Sequence, residues 1–152
     1  GMEEGWGFVD GPAVPVFTDP LSFETDLEVP EYGDYTLMYS GCDTSVLFNV
    51  LFMCDLELPN TFSPNGDGYN DFFTIEDLTY EYYSYSNMSI YNRWGDEVYK
   101  NGHYGLDGSW WDGQNTHQYD ELAAGVYFYV LKVGNKVTKE EDIYKGVVNL
   151  FY

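Results

Sequence analysis

A run of seven residues in the middle of the chain, NGDGYND, has the side-chain types and spacing of a cation-binding loop. Oxygen ligands are available from the side chains of Asn65, Asp67 and Asp71 and from the backbone carbonyl of Tyr69. Side chains two residues apart in a curled loop point to one centre, and the intervening glycines permit the curl. The spacing therefore predicts a calcium site made of Asn65, Asp67, Tyr69 and Asp71.

The same loop also fits a tight turn that needs no metal. It lacks the carboxylate and the glycine that an EF-hand loop carries at its fifth and sixth positions, so a remote carboxylate such as Asp112 would have to complete the calcium shell. In the alternative, Asn65 and Asp67 bond their own backbone while Gly66 and Gly68 take positive φ. Pro64 would then set the direction in which the chain enters the turn.

No residue pattern of an enzyme active site accompanies this loop. His103 and His117 have no paired Cys or His at metal-binding spacing, so we expect both to be exposed loop residues. No Ser/His/Asp order, phosphate-binding loop or cofactor fingerprint stands out. Acidic pairs such as Glu140-Glu141 are expected on solvated faces, because adjacent carboxylates are a common coincidence among 26 acidic residues. We therefore expect no enzymatic activity.

The tryptophans allow two interpretations. Trp94 follows a predicted strand, and Trp110 and Trp111 precede an Asp-Gly pair. In a β-sandwich such residues usually pack in the core or cover turns. The alternative is a sugar-stacking platform of the kind found on carbohydrate-binding modules. We favour the core interpretation, and we expect Arg93 to pair with a buried carboxylate or to stack on Trp94.

The charge of the chain excludes several classes of partner. There are 26 acidic and 6 basic residues, which gives a formal net charge of −20. Such a chain repels the phosphates of nucleic acid and of an anionic membrane, and it suits an exterior where divalent ions screen carboxylates. No stretch approaches the roughly 18 to 20 apolar residues that span a bilayer, so we expect no direct membrane insertion.

Cys42 and Cys54 flank a predicted strand. If residues 45–52 form one strand rising about 3.3 Å per residue, its ends lie roughly 25 Å apart, whereas a disulfide tolerates a Cα separation under about 7 Å. Direct pairing would therefore need both flanks to fold back. Free thiols, or bonds to another part of a longer chain, are the alternatives. A bond to another part of a longer chain is an alternative because Gly1-Met2 looks like a cloning scar and no signal peptide follows it.

The composition and the apolar patterns predict an all-β chain. Aromatic residues make up 20% of it, and short apolar runs alternate with Gly, Asn and Asp, which favours strands joined by tight turns. In the first part of the chain, a turn at Ser40-Gly41 is predicted to join a strand to an apolar return strand, Val46 to Phe52. The predicted inward residues of the first strand are Tyr35, Leu37 and Tyr39. An earlier strand is predicted from the alternation of Phe23, Thr25, Leu27 and Val29.

Residues 1–54 would then be a fragment of an immunoglobulin-like β unit, since four or five strands make an incomplete sandwich. Residues 55–152 are predicted to form an antiparallel immunoglobulin-like β-sandwich of about seven strands. A hairpin turn is predicted at Gly134-Asn135. The other predicted strands are Leu56 to Pro59, Phe72 to Ile75, Met88 to Asn92, Glu97 to Tyr99, Gly125 to Val133 and Tyr144 to Tyr152.

Four segments of this second unit together resemble one family. They are LPNTFSPNGDGYNDFF (58–73), IYNRWGDEVYK (90–100), WWDGQ (110–114) and LAAGVYFYVL (122–131), and the run YKGVVNLFY (144–152) follows them. The chain resembles the gliding motility-associated C-terminal domain, the type B domain of cargo of the Bacteroidota type IX secretion system. Ser63 replaces the usual threonine of the first motif, and the polar insertion NTHQYDE (115–121) departs from the pattern in a loop.

The resemblance implies a secretion signal and surface anchor. Such a domain directs large adhesins across the outer membrane to the cell surface by binding an outer-membrane β-barrel, and we expect the isolated domain to be monomeric. The preceding unit would resemble the last immunoglobulin-like repeat of an adhesin stalk. The alternative function is a calcium-stabilised carbohydrate-binding β-sandwich module. The matching residues for which we expect a structural role are Arg93, Trp94, Gly95, Trp111, Asp112, Gly113 and Gly125.

The last strand matters most for the secretion interpretation, because its apolar residues must be either buried in the sheet or offered to a partner. A partner could dock on such a strand by β-augmentation. We expect this strand, with the adjoining hairpin at 134–139, to be the recognition surface. The residues expected to bind the partner are Tyr144, Lys145, Gly146, Val148, Leu150, Phe151 and Tyr152.

Overall fold

A computed structural model describes residues 4–152, and the regular elements in that part of the chain are all β-strands. The prediction of an all-β chain with antiparallel sheets is confirmed, and the architecture is consistent with an immunoglobulin-like β-sandwich. No helix within residues 4–152 is long and apolar enough to cross a membrane. The strands are β1 (Gly5–Asp10), β2 (Val16–Phe17), β3 (Leu27–Glu28), β4 (Gly33–Gly41), β5 (Thr44–Phe52), β6 (Thr61–Phe62), β7 (Tyr83–Tyr91), β8 (Glu97–Asn101), β9 (Gly125–Asn135) and β10 (Glu141–Leu150).

The chain divides into two compact units, Gly1–Asp55 and Leu56–Tyr152. The first unit has a three-stranded antiparallel sheet in the order β1-β4-β5 and a separate short pair of β2 with β3. Alternation along β4 buries Tyr35 and Leu37, as predicted, while Tyr39 is half-buried against Trp6. Edge-to-face aromatic contacts therefore supply much of the packing in this unit.

The predicted hairpin turn at Ser40-Gly41 is wrong, because both residues belong to β4 and pair with β5. The turn is instead formed by Cys42 and Asp43, which have φ of 40° and 71°. Positive φ at both central residues is the geometry of the type I′ turn, whose twist matches that of the flanking strands. The turn therefore lies one step beyond the glycine that suggested it.

The strand predicted from Phe23 to Val29 is also wrong over its first half. Phe23 and Thr25 lie in a loop, and only Leu27–Glu28 are paired. The Asp19 carboxylate accepts a hydrogen bond from the Leu21 backbone N–H, and Thr25 Oγ1 accepts one from the Asp19 N–H. These side-chain bonds to the backbone compete with strand pairing and close the loop.

Cys42 and Cys54 are free thiols, which agrees with the strand geometry between them. Cys42 is exposed in the hairpin turn, and its Sγ donates a hydrogen bond to Glu4 Oε1. This hydrogen bond and the neighbouring negative charge raise the pKa of the Cys42 thiol. Exposure alone therefore overstates the reactivity of this cysteine.

The second unit is built on one five-stranded sheet in the order β6-β10-β9-β7-β8. Strands β9 and β10 pair antiparallel over ten residue pairs, from Gly134 opposite Glu141 to Gly125 opposite Leu150. Four of the predicted strands are confirmed, as β7, β8, β9 and β10, and each extends beyond its predicted bounds at one end. The observed β7 ends at Tyr91 rather than Asn92, and β10 ends at Leu150 rather than Tyr152. The parallel pairing of β6 covers only Asn149 and Leu150 of β10.

Leu56 to Pro59 and Phe72 to Ile75 are not strands, although their apolar alternation is real. Leu56, Phe73 and Ile75 are each buried. Phe73 forms only an isolated antiparallel bridge with Trp111, whose backbone carbonyl accepts the Phe73 N–H. Side-chain burial with period two thus occurs here without a continuous ladder, because the facing backbone is a loop.

The hairpin between β9 and β10 is confirmed, but the predicted turn position is wrong. Gly134 and Asn135 remain in β9, and the turn spans residues 136–140. The Asn135 side-chain oxygen accepts hydrogen bonds from the Val137 and Thr138 N–H groups, and Lys139 takes the positive φ of 63°. The turn therefore starts at Asn135, because the side chain of this residue accepts hydrogen bonds from the backbone that follows it.

An aromatic core fills the inner face of this sheet. Trp111 is fully buried, and its ring contacts Phe62, Tyr99 and Tyr127 at centroid distances of 5.0, 6.1 and 5.5 Å. Phe73 packs on Tyr129 at 5.4 Å. The irregular segments 63–80 and 102–124 therefore contribute buried aromatic residues to the core of this unit.

Truncation of Trp111 tests the weight of this core. We expect Trp111→Ala to lower the free energy of unfolding of the second unit by about 3–5 kcal/mol, because it leaves a large cavity. The matched control is Trp94→Ala, since Trp94 is 71% exposed, and we expect it to cost less than about 1 kcal/mol. Urea denaturation followed by far-UV circular dichroism measures both. Equal losses for the two variants would contradict the packing described.

Buried tyrosines predict a loss of stability at alkaline pH. Burial raises the pKa of Tyr99, Tyr127 and Tyr129, and it raises the pKa of Tyr104 well above the ordinary value of about 10. The neutral phenols stabilise the fold below about pH 10, and this stability is lost as the pH rises above the unfolded-state value. We expect a flat melting temperature up to about pH 9.5 and a fall beyond it.

Tyr104→Phe separates this titration from other alkaline effects. The variant loses the hydrogen bond that the Tyr104 hydroxyl donates to the Phe73 carbonyl, so we expect a loss of about 1–2 kcal/mol at pH 8. Its stability should then fall less steeply than the wild type between pH 10 and 11.5. Parallel pH profiles would show that Tyr104 does not contribute.

Candidate functional site

The Asn65–Asp71 loop is closed by its own side chains. The two carboxylate oxygens of Asp71 accept hydrogen bonds from the backbone N–H groups of Gly66 and Gly68, each at 2.8 Å. Gly66 and Gly68 have φ of 76° and 88°, which only glycine adopts readily. A charged acceptor makes these bonds stronger than neutral ones. Asp71 therefore holds the curl from the inside.

The two other side chains of the loop also bond the backbone ahead of them. Asn65 Oδ1 accepts the Asp67 N–H at 3.0 Å, and Asp67 Oδ1 accepts the Tyr69 N–H at 2.8 Å. The Asn65 amide in turn donates to Asp67 Oδ2 at 3.1 Å. These are the hydrogen bonds of the turn interpretation.

The remote carboxylate predicted for the calcium shell lies near this loop. Asp112, the remote carboxylate expected to complete the shell, lies with Asp71 and Glu121 along one cavity of about 230 Å³. However, within residues 4–152 no three acidic, histidine or cysteine side chains are grouped so that they could hold a metal ion. The Asp71 oxygens already face two N–H donors. Calcium binding thus stays a prediction from the sequence, and the geometry found is that of a turn.

Strand β10 pairs with β9 along its whole length and with β6 only at Asn149 and Leu150. Val148 and Leu150 are fully buried in the core, and Tyr144 and Gly146 point to the same face of the sheet. A Cβ on Gly146 would meet the Tyr129 hydroxyl at 2.4 Å, so a larger residue does not fit. These four of the expected partner-binding residues therefore support the fold in this conformation.

The remaining expected residues are at the surface. Lys145 is exposed on the outer face of the sheet, and Phe151 and Tyr152 are 55% and 53% exposed. The Phe151 N–H donates to the Phe62 carbonyl, and the Tyr152 hydroxyl donates to the Leu122 carbonyl at 2.7 Å. The backbone of this segment is thus held while its aromatic side chains remain accessible.

The Trp111-Asp112-Gly113 segment forms a hydrogen-bonded turn. The indole N–H of Trp111 donates to the Gln114 carbonyl at 2.9 Å, and Asp112 Oδ1 accepts the Gln114 N–H at 3.1 Å. Gly113 is buried, and a Cβ there would lie 3.1 Å from Leu150 and Pro64. This turn therefore seals the end of β10.

The Arg93-Trp94-Gly95 segment differs from the core interpretation. Trp94 is exposed, so the expectation that it fills the core is wrong, whereas the stacking of Arg93 on it is found at 4.3 Å from Cζ to the ring centroid. Gly95 takes a φ of 88° in a tight turn between β7 and β8. Both side chains are exposed, whereas Ile90 and Val98 in the two strands that the turn joins are buried.

One end of the sheet gathers several of these residues. Strand β7 ends at Tyr91, β9 begins at Gly125 opposite Leu150, and Tyr91 pairs with Phe128. We call this region, comprising the 92–96 turn, residues 122–128 and residues 147–152, the Trp94 end of the sheet. It contains Phe151 and Tyr152 together with Arg93 and Trp94.

The outer face of the sheet carries exposed apolar residues that we did not predict from the sequence. Val126, Phe128 and Val147 are 48%, 47% and 43% exposed, and Phe128 pairs with both Tyr91 and Val147. The sequence GVYFYVLKV indicates this face, because its apolar residues occupy both alternating sets of positions. Such a strand has apolar residues on both of its faces. Burial of only one face leaves the other as an exposed apolar patch.

Comparison with known proteins identifies one family. A family model described as CHU_C Type IX secretion signal domain matches residues 56–150, which is more than half of the chain and nearly the whole second unit. No curated protein and no solved structure matched the chain.

Asp71→Asn tests how the loop is closed. Asparagine can accept a hydrogen bond at only one atom, so one of the two glycine N–H groups loses its acceptor, and we expect a loss of about 1–2 kcal/mol for this exposed site. Because the hydrogen bonds need no metal, the loss should be the same in chelator and in calcium. Thermal unfolding measures it.

Glu76→Gln is the matched control, since it removes one charge near the loop without removing a loop hydrogen bond. We expect it to change the stability by less than about 0.5 kcal/mol. A loss for Asp71→Asn that appears in calcium and disappears in chelator would instead show that the carboxylate acts as a calcium ligand.

Proposed function

Because the chain belongs to the CHU_C Type IX secretion signal domain family, we propose that its second unit binds an outer-membrane β-barrel of the secretion apparatus and holds its cargo on the cell surface. Membership of this family shows that the second unit is a type IX secretion signal, which directs export across the outer membrane to the cell surface. The barrel partner and the anchoring role are the proposal.

The Trp94 end of the sheet is the observation that carries this proposal. Trp, Tyr, Phe and Arg are enriched at protein interfaces, and this end presents at its surface Arg93, Trp94, Phe128, Phe151 and Tyr152. Exposed aromatic side chains on a hydrogen-bonded backbone also need little ordering on binding. These properties suit recognition of another protein.

The open edge of β10 supports the same partner. Strand β6 pairs only with Asn149 and Leu150 of β10, so it does not cover the earlier part of that strand. A strand edge of this kind can accept an extended segment of a partner by β-augmentation. Lys145 lies in the middle of this edge, and such charges on edge strands discourage unspecific pairing.

We propose that the cargo is an adhesin, and this part of the proposal rests on the structure of the first unit. Its small antiparallel sheet, with the aromatic cluster of Trp6, Tyr39 and Phe48, is the architecture expected of part of an immunoglobulin-like stalk repeat. Adhesin stalks use such repeats as spacers. The role of this unit is then to connect the signal domain to the rest of a surface protein.

The tryptophans do not support the alternative of a carbohydrate-binding module. A stacking platform needs several exposed aromatic faces in one plane. Trp111 is fully buried, and Trp110 is half-buried with its ring edge-on to Tyr104 at 5.3 Å. Trp94 is exposed, but the Arg93 guanidinium covers one of its faces.

Export of a reporter tests the proposed function. A fluorescent protein placed before residue 1 should reach the surface of a bacterium with an intact type IX system, whereas fusion to residues 1–55 alone should leave it in the periplasm. We expect at least a tenfold difference in surface fluorescence. Phe151→Asp should lower export several-fold, because it charges an exposed apolar contact without touching the core.

Tyr80→Asp is the control for this variant. Tyr80 is similarly exposed but its carbonyl contacts Lys136, at the opposite end of the sheet. Export that depends on Tyr80 and not on Phe151 would contradict the assigned surface. Equal export of the reporter with residues 1–55 alone would contradict the signal role.

A further inference from the structure

Arg93 is the only arginine of a chain with 26 acidic residues. Within residues 4–152 the ion pairs at 4.0 Å or less involve Lys100 and His117 with Glu97, and Lys132 with Glu141. Arg93 is exposed, and in the part of the chain that the structure describes its guanidinium stacks on the Trp94 ring. Its guanidinium N–H groups are therefore available to an acceptor from outside the chain.

The turn that carries Arg93 holds it in place. Asn92 Oδ1 accepts hydrogen bonds from the Trp94 and Asp96 N–H groups at 2.9 and 3.0 Å, and its amide donates to Asp96 Oδ2. Stacking on Trp94 further limits the rotamers of the arginine. A guanidinium ordered before binding loses less entropy when it engages a ligand.

A small groove lies beside this turn. Asn92, Arg93 and Trp94 line one side, and residues 123–127 line the other. Ala123, Ala124 and Gly125 leave it open, and the Tyr127 hydroxyl fixes its wall by donating to the Ala123 carbonyl at 2.7 Å. The groove has a volume of about 110 Å³, which suits one side chain and is too small for a folded ligand.

Arg93 also contributes positive charge to the groove itself. Burial raises the pKa of the Tyr127 hydroxyl, and the charge of Arg93 acts in the opposite direction on the same group. Val126, at the mouth of the groove, continues into the exposed apolar residues Phe128 and Val147. The groove thus combines one cation with an apolar surround.

We propose that Arg93, Trp94 and the groove formed with residues 123–127 bind a carboxylate side chain on an extended segment of the protein partner. This inference rests on the proposed function and names the chemistry of the contact. The planar guanidinium matches a carboxylate with two parallel hydrogen bonds. Apolar residues next to that carboxylate would pack on Val126, Phe128 and Trp94.

The net charge of the chain is compatible with an acidic partner segment. At physiological ionic strength the screening length is about 8 Å, so the distant carboxylates of the chain act weakly at the groove. Arg93 and Trp94 dominate the local contact.

Nuclear magnetic resonance titration of the full chain tests the carboxylate site. The probe is an acetylated and amidated hexapeptide with one Asp flanked by Leu and Val, and the matched probe has Asn in its place. We expect the Trp94 indole N–H and Arg93 Nε–H signals to shift with the Asp peptide and at least tenfold more weakly with the Asn peptide. Arg93→Gln should abolish the difference.

Two outcomes of this titration would overturn the inference. Equal shifts with the Asp and Asn peptides would show that no carboxylate is recognised. Stronger shifts with methyl glucuronide than with the Asp peptide at equal concentration would assign the groove to an acidic sugar rather than a protein segment. Lys100→Gln, which removes an exposed positive charge on the neighbouring strand, should leave the peptide shifts unchanged.

The export assay separates this inference from the proposed function. If the wild-type chain exports the reporter, Arg93→Gln should lower surface recovery at least fivefold, Arg93→Lys should restore part of it, and Lys100→Gln should match the wild type. Export of Arg93→Gln at the wild-type level would overturn the inference while leaving the signal role intact. A wild-type chain that fails to export the reporter overturns the proposed function, together with the identity of the partner inferred here.

Discussion

The ten-residue antiparallel pairing of β9 with β10 is the constraint on which the second unit depends. Because side chains alternate across a strand, this one register sends Val148 and Leu150 into the core and Lys145 and Val147 to the outer face. The same register sets Gly125 opposite Leu150, and this places residues 122–128 beside the segment that follows β10. A shift by one residue would exchange the buried and exposed sets.

The residues that match the family pattern divide into two physical classes. Trp111, Asp112, Gly113 and Asp71 are occupied within the fold, either in the aromatic core or in hydrogen bonds that close turns. In the NGDGYND loop, the Gly66 and Gly68 N–H groups donate to the two Asp71 carboxylate oxygens and close the turn. Arg93 and Trp94 are held by a turn of the same kind, but the turn presents them to solvent.

Most of the long strands were predictable from the sequence, whereas the positions of their ends were not. Period-two apolar patterns located β4, β7, β9 and β10, since one-sided burial produces that pattern directly. The turn positions were misplaced because Asp43 and Lys139 supply positive φ where glycine was expected. Phe72 to Ile75 shows that alternating burial does not require a ladder. The exposure of Trp94 could not be predicted, because residue type does not reveal whether the neighbouring strands leave space in the core.

Site-specific photocrosslinking during export tests the central claim most directly, that the Trp94 end of the sheet contacts an outer-membrane barrel. A photoreactive phenylalanine analogue would replace Phe151 in one exported fusion and Tyr80, near the opposite end, in another. The account predicts a crosslink from position 151 to one outer-membrane β-barrel protein and none from position 80. A barrel crosslink from position 80 alone would contradict it.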